Sequence, residues 1–236
     1  RFPKERVTLV RNFPPLGTGC LPTTPRRQPR EAFRLVHLGG TLTEERGITR
    51  LIEALALLDD SFTLVLGGRF VNPSYEQKVR SLPGFCRVRF VGTVPHQAVY
   101  QWYASAHAGI VPSLPLKRHH TALPVKMFEF MAAGLPVILP DFPLLRQIVA
   151  EWNCGICVNT LDPGAIAGAI RFLAENPETA QQLGANGRIA VRQRFNWSGE
   201  AENLLALYRR ITQIAPCSAR PAQPKAQSSE LPAHVL

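Results

Sequence analysis

The sequence predicts an α/β protein with a doubly wound parallel sheet, which is a Rossmann-like fold. Short apolar runs of strand length alternate with amphipathic segments of helix length from residue 33 onward, and this spacing is typical of βαβ units. The apolar content of 45% is that of a globular protein, and no apolar run approaches the ~20 residues of a membrane span. Glycine, Pro-Ser or Pro-Asp follows most of the predicted strands, at the sheet edge where such folds bind ligands.

Hydrophobic periodicity places the elements along the chain. Strands are predicted at 33–38, 62–66, 87–91, 107–111, 136–139 and 155–158. Helices are predicted at 46–58, 74–81, 97–105, 124–134, 143–150, 162–174, 177–194 and 198–213. Each crossover between parallel strands is expected to be right-handed.

Three regions follow from composition. Residues 1–32 are predicted to hold a short strand at 5–10 and a Pro-rich linker, and residues 33–213 form the Rossmann-like domain. Residues 214–236 are rich in Pro, Ala, Ser and Gln and are expected to be a disordered tail. The chain opens on Arg1 without a methionine, which predicts a piece of a longer protein.

The most informative stretch runs from Leu123 to Ile138. Its helix is apolar on nearly every side, and its charged residues are Lys126 and Glu129 near the N-terminal end. Residues three apart share one helix face, and the positive end of a helix favours an anionic ligand. The alternative is a local Lys126–Glu129 salt bridge plus a helix cap, and the spacing does not decide between them.

Several predicted loops fall at the carboxyl ends of strands and are expected to surround one site. They are Gly39-Gly40, Gly92, Ser113, the loop 114–122 and the helix start that carries Lys126 and Glu129.

Charge and missing motifs narrow the function classes. The net charge of +10 favours anionic partners such as nucleotide phosphates or an acidic membrane surface. The basic residues are not interleaved with aromatics as a single-strand-binding groove requires, so no nucleic-acid partner is predicted. The nicotinamide fingerprint, the Walker phosphate loop and the G-x-S-x-G nucleophile elbow are all absent.

No metal or redox site is predicted. The five cysteines are an odd number, which indicates a reducing compartment rather than a disulfide framework. Cys154 and Cys157 form a C-x-x-C pattern without a second pair and are interpreted as two buried strand cysteines. His119 and His120 are adjacent and have no acidic or Cys partner nearby.

The stretch Leu123–Ile138, followed by Asp141-Phe-Pro, resembles the nucleotide-sugar signature of GT-B glycosyltransferases of the family 4 type. Four flanking segments resemble other parts of the same domain. They are 10–14, which is similar to the strand entering the second domain, and 36–48, 90–94 and 154–163. The resemblance spans about residues 7–212.

The resemblance implies a retaining hexosyltransferase that moves a sugar from a nucleotide-diphosphate sugar to an acceptor, with this chain as the C-terminal, donor-binding half. Glu129 would accept hydrogen bonds from the ribose hydroxyls. Arg46 and Lys126 would contact the diphosphate. The remaining donor-binding positions are Gly39 and Gly40 in the first loop, and Gly92 and Val94, whose backbone would contact the nucleotide base. The family usually needs no metal, and no cofactor is expected.

Two departures from the pattern concern the donor site. Thr121 stands where many members have Glu, and Gly40 or Thr41 stands where an Arg commonly follows the first glycine. The catalytic residues are unknown, because the acceptor side is expected in the missing N-terminal domain. The chain alone is therefore expected to bind donor weakly and to transfer no sugar.

The implied partners are the nucleotide-sugar donor, a glycan, lipid or small-molecule acceptor, and the missing N-terminal domain. A cytoplasmic location is expected, with the inner membrane face as a further place for a basic protein. Two other functions stay open at this point. One is a non-catalytic nucleotide-binding or partner-binding module, and the other is a sugar-nucleotide epimerase of the same architecture that would use His119 or His120.

Overall fold

The structure is a computed structural model that describes residue 3, residues 6–15 and residues 31–214. Six strands form one sheet: β1 (Phe33–Leu42), β2 (Phe62–Phe70), β3 (Val88–Gly92), β4 (Ala108–Ile110), β5 (Val137–Pro140) and β6 (Gly155–Val158). Their order is β3-β2-β1-β4-β5-β6, and all neighbours are parallel. The predicted doubly wound sheet is confirmed.

Eight α-helices are described: α1 (Ile48–Ala56), α2 (Pro73–Arg80), α3 (Val99–Ala104), α4 (Val125–Ala133), α5 (Pro143–Trp152), α6 (Pro163–Glu175), α7 (Pro177–Gln193) and α8 (Trp197–Ile214). Short 3-10 turns cover Glu44–Arg46, Pro83–Arg87 and His96–Ala98. Every predicted helix is present, with bounds that differ by a few residues. Within residues 31–214, no helix combines the length and apolarity that crossing a bilayer requires.

The helices bury two apolar cores, one on each face of the sheet. Side chains of α1, α2 and α6 pack on one face, and those of α3, α4 and α5 pack on the other. Helix α7 contributes side chains to both cores. The chain changes direction across the sheet between β1 and β4. In open α/β sheets, ligands bind in the crevice at the carboxyl ends of the strands at this reversal.

The first two strands are longer than predicted. Gly39-Gly40 and Gly67-Gly68 were expected to end β1 and β2, but pairing resumes beyond them as Thr41↔Arg69 and Leu42↔Phe70. The register shifts between Leu38 and Thr41, and Gly68 has a φ of 138° that favours glycine. A bulge therefore carries both strands past their glycines.

The strand predicted at 5–10 is wrong, since residues 6–10 form no strand. This segment runs along α8 instead of pairing with a sheet edge. The Arg11 backbone N–H donates to the Glu200 carboxylate at 2.9 Å, and the Arg210 guanidinium donates to Thr8 Oγ1 at 3.3 Å. Phe13 is buried against the rings of Phe128 and Phe195. The predicted linker at 16–30 and the tail at 215–236 lie outside the described residues.

Helix α4 ends where α7 crosses it closely. Gly134 has a left-handed φ of 79°, which is the usual helix C-terminal geometry. The Arg188 guanidinium donates to the Ala133 carbonyl at 2.9 Å. A Cβ on Gly184 would overlap the Gly134 carbonyl oxygen. The glycine thus lets α7 lie against the end of α4 and fixes the position of α4 on the sheet.

Gly184→Ala is expected to lower the free energy of unfolding by about 1–3 kcal/mol, because the added methyl forces packed backbone apart. Chemical denaturation at constant pH measures it. Gly168→Ala in α6 is the matched control, since its Cβ would meet nothing within 4 Å. That change should raise stability by up to about 1 kcal/mol through helix propensity. Equal behaviour of the two variants would contradict the close crossing.

Candidate functional site

The first turn of α4 meets the end of β1 at the strand reversal. Lys126 Nζ lies 3.2 Å from His37 Nε2. A Cβ on Gly39 would come within 2.8 Å of the same Nζ. The glycine therefore lets this ammonium group lie close to the β1 backbone at the sheet edge.

His37 is buried in β1, with 1% of its surface exposed. Its Nδ1 lies 2.8 Å from the Ile110 carbonyl oxygen. A carbonyl only accepts hydrogen bonds, so Nδ1 carries the proton, and Nε2 of the neutral ring accepts from Lys126. Burial, and next the charge of Lys126, hold the pKa of His37 well below its usual value.

Lys126 carries a positive charge that its surroundings disfavour. Burial first, and then the charge of Arg46, lower the pKa of Lys126 to about 8, while Glu129 acts in the opposite direction. Neither Lys126 nor Arg46 forms an ion pair with a carboxylate in the described parts of the chain. The site therefore holds two neighbouring cations without a protein anion bound to them.

Glu129 lies one turn further along α4, with 13% of its side chain exposed. The Tyr103 hydroxyl donates to Glu129 Oε2 at 3.1 Å, and His96 Nε2 lies 3.5 Å from Oε1. Burial, and next the charge of Glu129, raise the pKa of Tyr103, so its hydroxyl remains a donor. The Lys126–Glu129 salt bridge that the spacing left open is absent among these described contacts.

The first loop, here residues 43–47 between β1 and α1, is fixed to the segment that follows β4. Arg46 ends the 3-10 turn that follows β1. The preceding Glu45 accepts the Leu114 backbone N–H at 3.0 Å through its carbonyl, and its carboxylate pairs with Arg118. Gly47 packs on the Pro112 carbonyl. Arg46 between them is exposed, and its charge is close enough to act on both Lys126 and His37.

The structure thus brings together Gly39, Arg46, Lys126 and Glu129 of the predicted set. Gly40 and Gly92 lie on the same edge, where a Cβ on either would meet nothing within 4 Å. Val94 packs over Gly67.

Sequence reasoning missed three residues of this site, namely His37, Tyr103 and His96. The one signal for His37 was a polar residue between Val36 and Leu38 in a mostly apolar strand. The epimerase alternative relies on His119 or His120 in the cleft, but the histidine beside Glu129 is His96. His119 Nδ1 instead contacts the Leu114 carbonyl at 2.8 Å, and His120 stacks on Phe142.

The two C-x-x-C cysteines are free thiols near β6. Cys154 is buried and precedes the strand, whereas Cys157 lies within it and is half-buried. The interpretation as two buried strand cysteines is therefore only partly right. Burial raises the pKa of Cys154 to about 12 and that of Cys157 to about 11. Among the described residues, no group of three or more His, Cys, Asp or Glu is placed to hold a metal.

Comparison with known proteins agrees with this fold. Residues 32–176 match the family described as Glycosyl transferases group 1. A D-inositol 3-phosphate glycosyltransferase from Xylanimonas cellulosilytica is 28% identical over 187 residues, which are 77% of this chain and 43% of that protein. The chain spans about half the length of the curated relatives that it matches.

Solved structures share the architecture. Sucrose-phosphate synthase from Thermosynechococcus elongatus matches with a TM-score of 0.69 and 27% identity, over 86% of this chain and 50% of that one. Anabaena Alr3699/HepE in complex with UDP matches with a TM-score of 0.67 and 19% identity, over 76% of this chain and 49% of that one. The resemblance to GT-B glycosyltransferases is confirmed by these matches. The chain belongs to the family Glycosyl transferases group 1.

Proposed function

We propose that this chain is the donor-binding domain of a retaining glycosyltransferase that takes its sugar from a nucleotide-diphosphate sugar. One observation carries the proposal: Lys126 and Arg46 are neighbouring cations without a carboxylate partner among the described residues, at the strand reversal of the sheet. An anionic ligand would satisfy both.

The diphosphate is assigned to these two cations. The Lys126 ammonium has three N–H donors, and His37 accepts one of them, which leaves two for phosphate oxygens. Negative charge grows on the diphosphate when its bond to the sugar breaks, so cations placed beside it, with Lys126 held by His37, favour the departure. The acceptor oxygen forms the new glycosidic bond as the sugar–diphosphate bond breaks, and its proton passes to the departing diphosphate.

The ribose is assigned to Glu129. An ionised carboxylate only accepts hydrogen bonds, and ribose hydroxyls donate them. Tyr103 holds Oε2, while Oε1 faces His96. The His96 side chain is 70% exposed and is free to turn away when a ribose arrives. The base would then lie along the open backbone at Gly92 and Val94.

The relatives support this assignment. Alr3699/HepE is described in complex with UDP and also with UDP-glucose. Because this chain covers about half of such proteins, we assign the acceptor site and the remaining catalytic groups to the other half. We propose that the reaction proceeds without a metal. Sugar transfer by this chain alone would contradict the assignment.

Glu129→Gln is expected to weaken nucleotide binding about 10-fold to 100-fold, since hydrogen bonds to a charged group contribute about 1.5–3 kcal/mol. Calorimetric titration of UDP, GDP and ADP measures it. Glu202→Gln, which makes the same chemical change at an exposed position of α8, should bind like the wild type. Binding by Glu129→Gln that equals the control would refute the ribose assignment.

A further inference from the structure

We propose that His37 is a positioning residue for the phosphate-binding ammonium of Lys126, acting as a neutral hydrogen-bond acceptor that holds the group without cancelling its charge. The inference rests on the proposed function, because it concerns how the phosphate cation of that site is aimed.

The His37 ring is held by both strands that flank the reversal. It projects from β1, and its Nδ1–H donates to the Ile110 carbonyl of β4 at 2.8 Å. The ring is buried, so packing limits its rotation. Because Nδ1 carries the ring proton, Nε2 has the lone pair that can accept a hydrogen bond. This Nε2 atom lies 3.2 Å from Lys126 Nζ.

The chemical type of the acceptor matters. A buried ammonium needs a hydrogen-bond acceptor, because losing water without a replacement is costly. A carboxylate at this place would form an ion pair with Lys126 and leave little charge for a ligand. The neutral imidazole satisfies one N–H and leaves the full positive charge available to a phosphate.

The surroundings keep the ring neutral. Burial and two cations, Lys126 and Arg46, all disfavour an imidazolium at His37. Glu129 is the other charged group that acts on Lys126, and its carboxylate is engaged by Tyr103. His37 therefore remains an acceptor over the pH range in which the protein would meet nucleotides.

Positioning has a measurable consequence. The four-carbon stem of lysine is flexible. Without an acceptor at Nε2, the ammonium would spread over several rotamers, and a ligand would have to reorder it on binding. The loss should fall on the diphosphate and leave the nucleoside unaffected.

The test compares His37→Leu and His37→Gln with the wild type. UDP, GDP and ADP are each titrated against the wild type. The diphosphate with the lowest Kd and its corresponding nucleoside are then titrated against both variants. His37→Leu should raise the Kd of the diphosphate about tenfold, the effect of losing one charge-assisted hydrogen bond. The Kd of the nucleoside should change less than about twofold. His37→Gln, which keeps an acceptor, should restore the diphosphate Kd to within about threefold.

An NMR titration of the lysine side chains gives a readout that needs no nucleotide. The chain has five lysines, and Lys126→Arg identifies the Lys126 signal. Removing an acceptor disfavours the charged form, so the Lys126 titration should move to lower pH in His37→Leu and stay in place in His37→Gln.

Three results would overturn the inference: unchanged diphosphate binding by His37→Leu, an equal loss of nucleoside and diphosphate, or a folded His37→Gln that does not rescue. If the wild type binds none of the three diphosphates, the proposed function fails instead. The position of the Lys126 titration then decides the role of His37 alone.

Discussion

Lys126→Met is expected to lower the affinity of this chain for a nucleoside diphosphate about 100-fold, without lowering its melting temperature at pH 7. Met keeps the length and much of the volume of the side chain while removing the charge. Losing charge-assisted hydrogen bonds to phosphate costs about 1.5–3 kcal/mol, and tenfold in affinity corresponds to about 1.4 kcal/mol. Calorimetry gives the affinity, and a thermal denaturation scan gives the melting temperature.

The unchanged stability follows from the pKa of Lys126. Its folded-state pKa of about 8 lies below the ordinary value of 10.5, chiefly because of burial. The unfolded chain therefore binds more protons between these two pH values, and wild-type stability rises with pH across that window. Below pH 8 the charged Lys126 imposes its full cost on the fold. Lys126→Met removes this cost at pH 7, which offsets the hydrogen bond lost by His37.

The pH dependence of nucleotide binding by the wild type tests independently whether the charge of Lys126 binds the phosphate. Affinity should fall as pH rises through about 8, because Lys126 then loses its proton. The phosphates are already ionised above a pKa of about 6, so the ligand does not cause the change. Lys126→Met should show no such fall between pH 7 and 9. A large drop in the melting temperature of Lys126→Met would contradict the role of Lys126. A wild-type affinity that stays constant up to pH 9 would contradict it as well.

The fold was largely predictable because its local signals agree with its topology. Apolar strands, amphipathic helices and their glycine and proline boundaries all indicate the same parallel sheet. The errors occur where partner strands decide the outcome. Gly39-Gly40 has the composition of a strand end, yet β1 continues to Leu42 because it pairs with β2 around the bulge at Gly68. Residues 6–10 have strand-like composition, but their partner is α8.

The candidate site was predictable only where it is contiguous in sequence. Lys126 and Glu129 are three residues apart and could be assigned to one helix face. Their partners are distant in sequence, since His37 is 89 residues from Lys126 and Tyr103 is 26 residues from Glu129. No spacing rule relates these positions. The order of the strands brings His37 to α4, and the packing of α3 on α4 brings Tyr103 to Glu129.

Gly47→Ala is expected to be among the most destabilising single-methyl changes in the domain and to weaken nucleotide binding as well. Gly47 has a φ of 75°, and its Cβ would overlap the Pro112 carbonyl oxygen. A left-handed alanine costs about 1–2 kcal/mol, and forcing packed backbone apart costs about 1–3 kcal/mol. We therefore expect a loss of about 2–5 kcal/mol in the free energy of unfolding, measured by chemical denaturation.

Gly92→Ala separates the conformational cause of the destabilisation from the steric one. Gly92 also has a positive φ, of 63°, but its Cβ would meet nothing within 4 Å. It should therefore lose only the conformational part of the stability. Because Gly47 directly follows Arg46, the steric part in Gly47→Ala must also displace Arg46 from the cleft, so diphosphate affinity should fall together with stability. Equal destabilisation of the two variants would show that the Gly47–Pro112 approach does not hold the first loop, and Arg46 would then need another anchor.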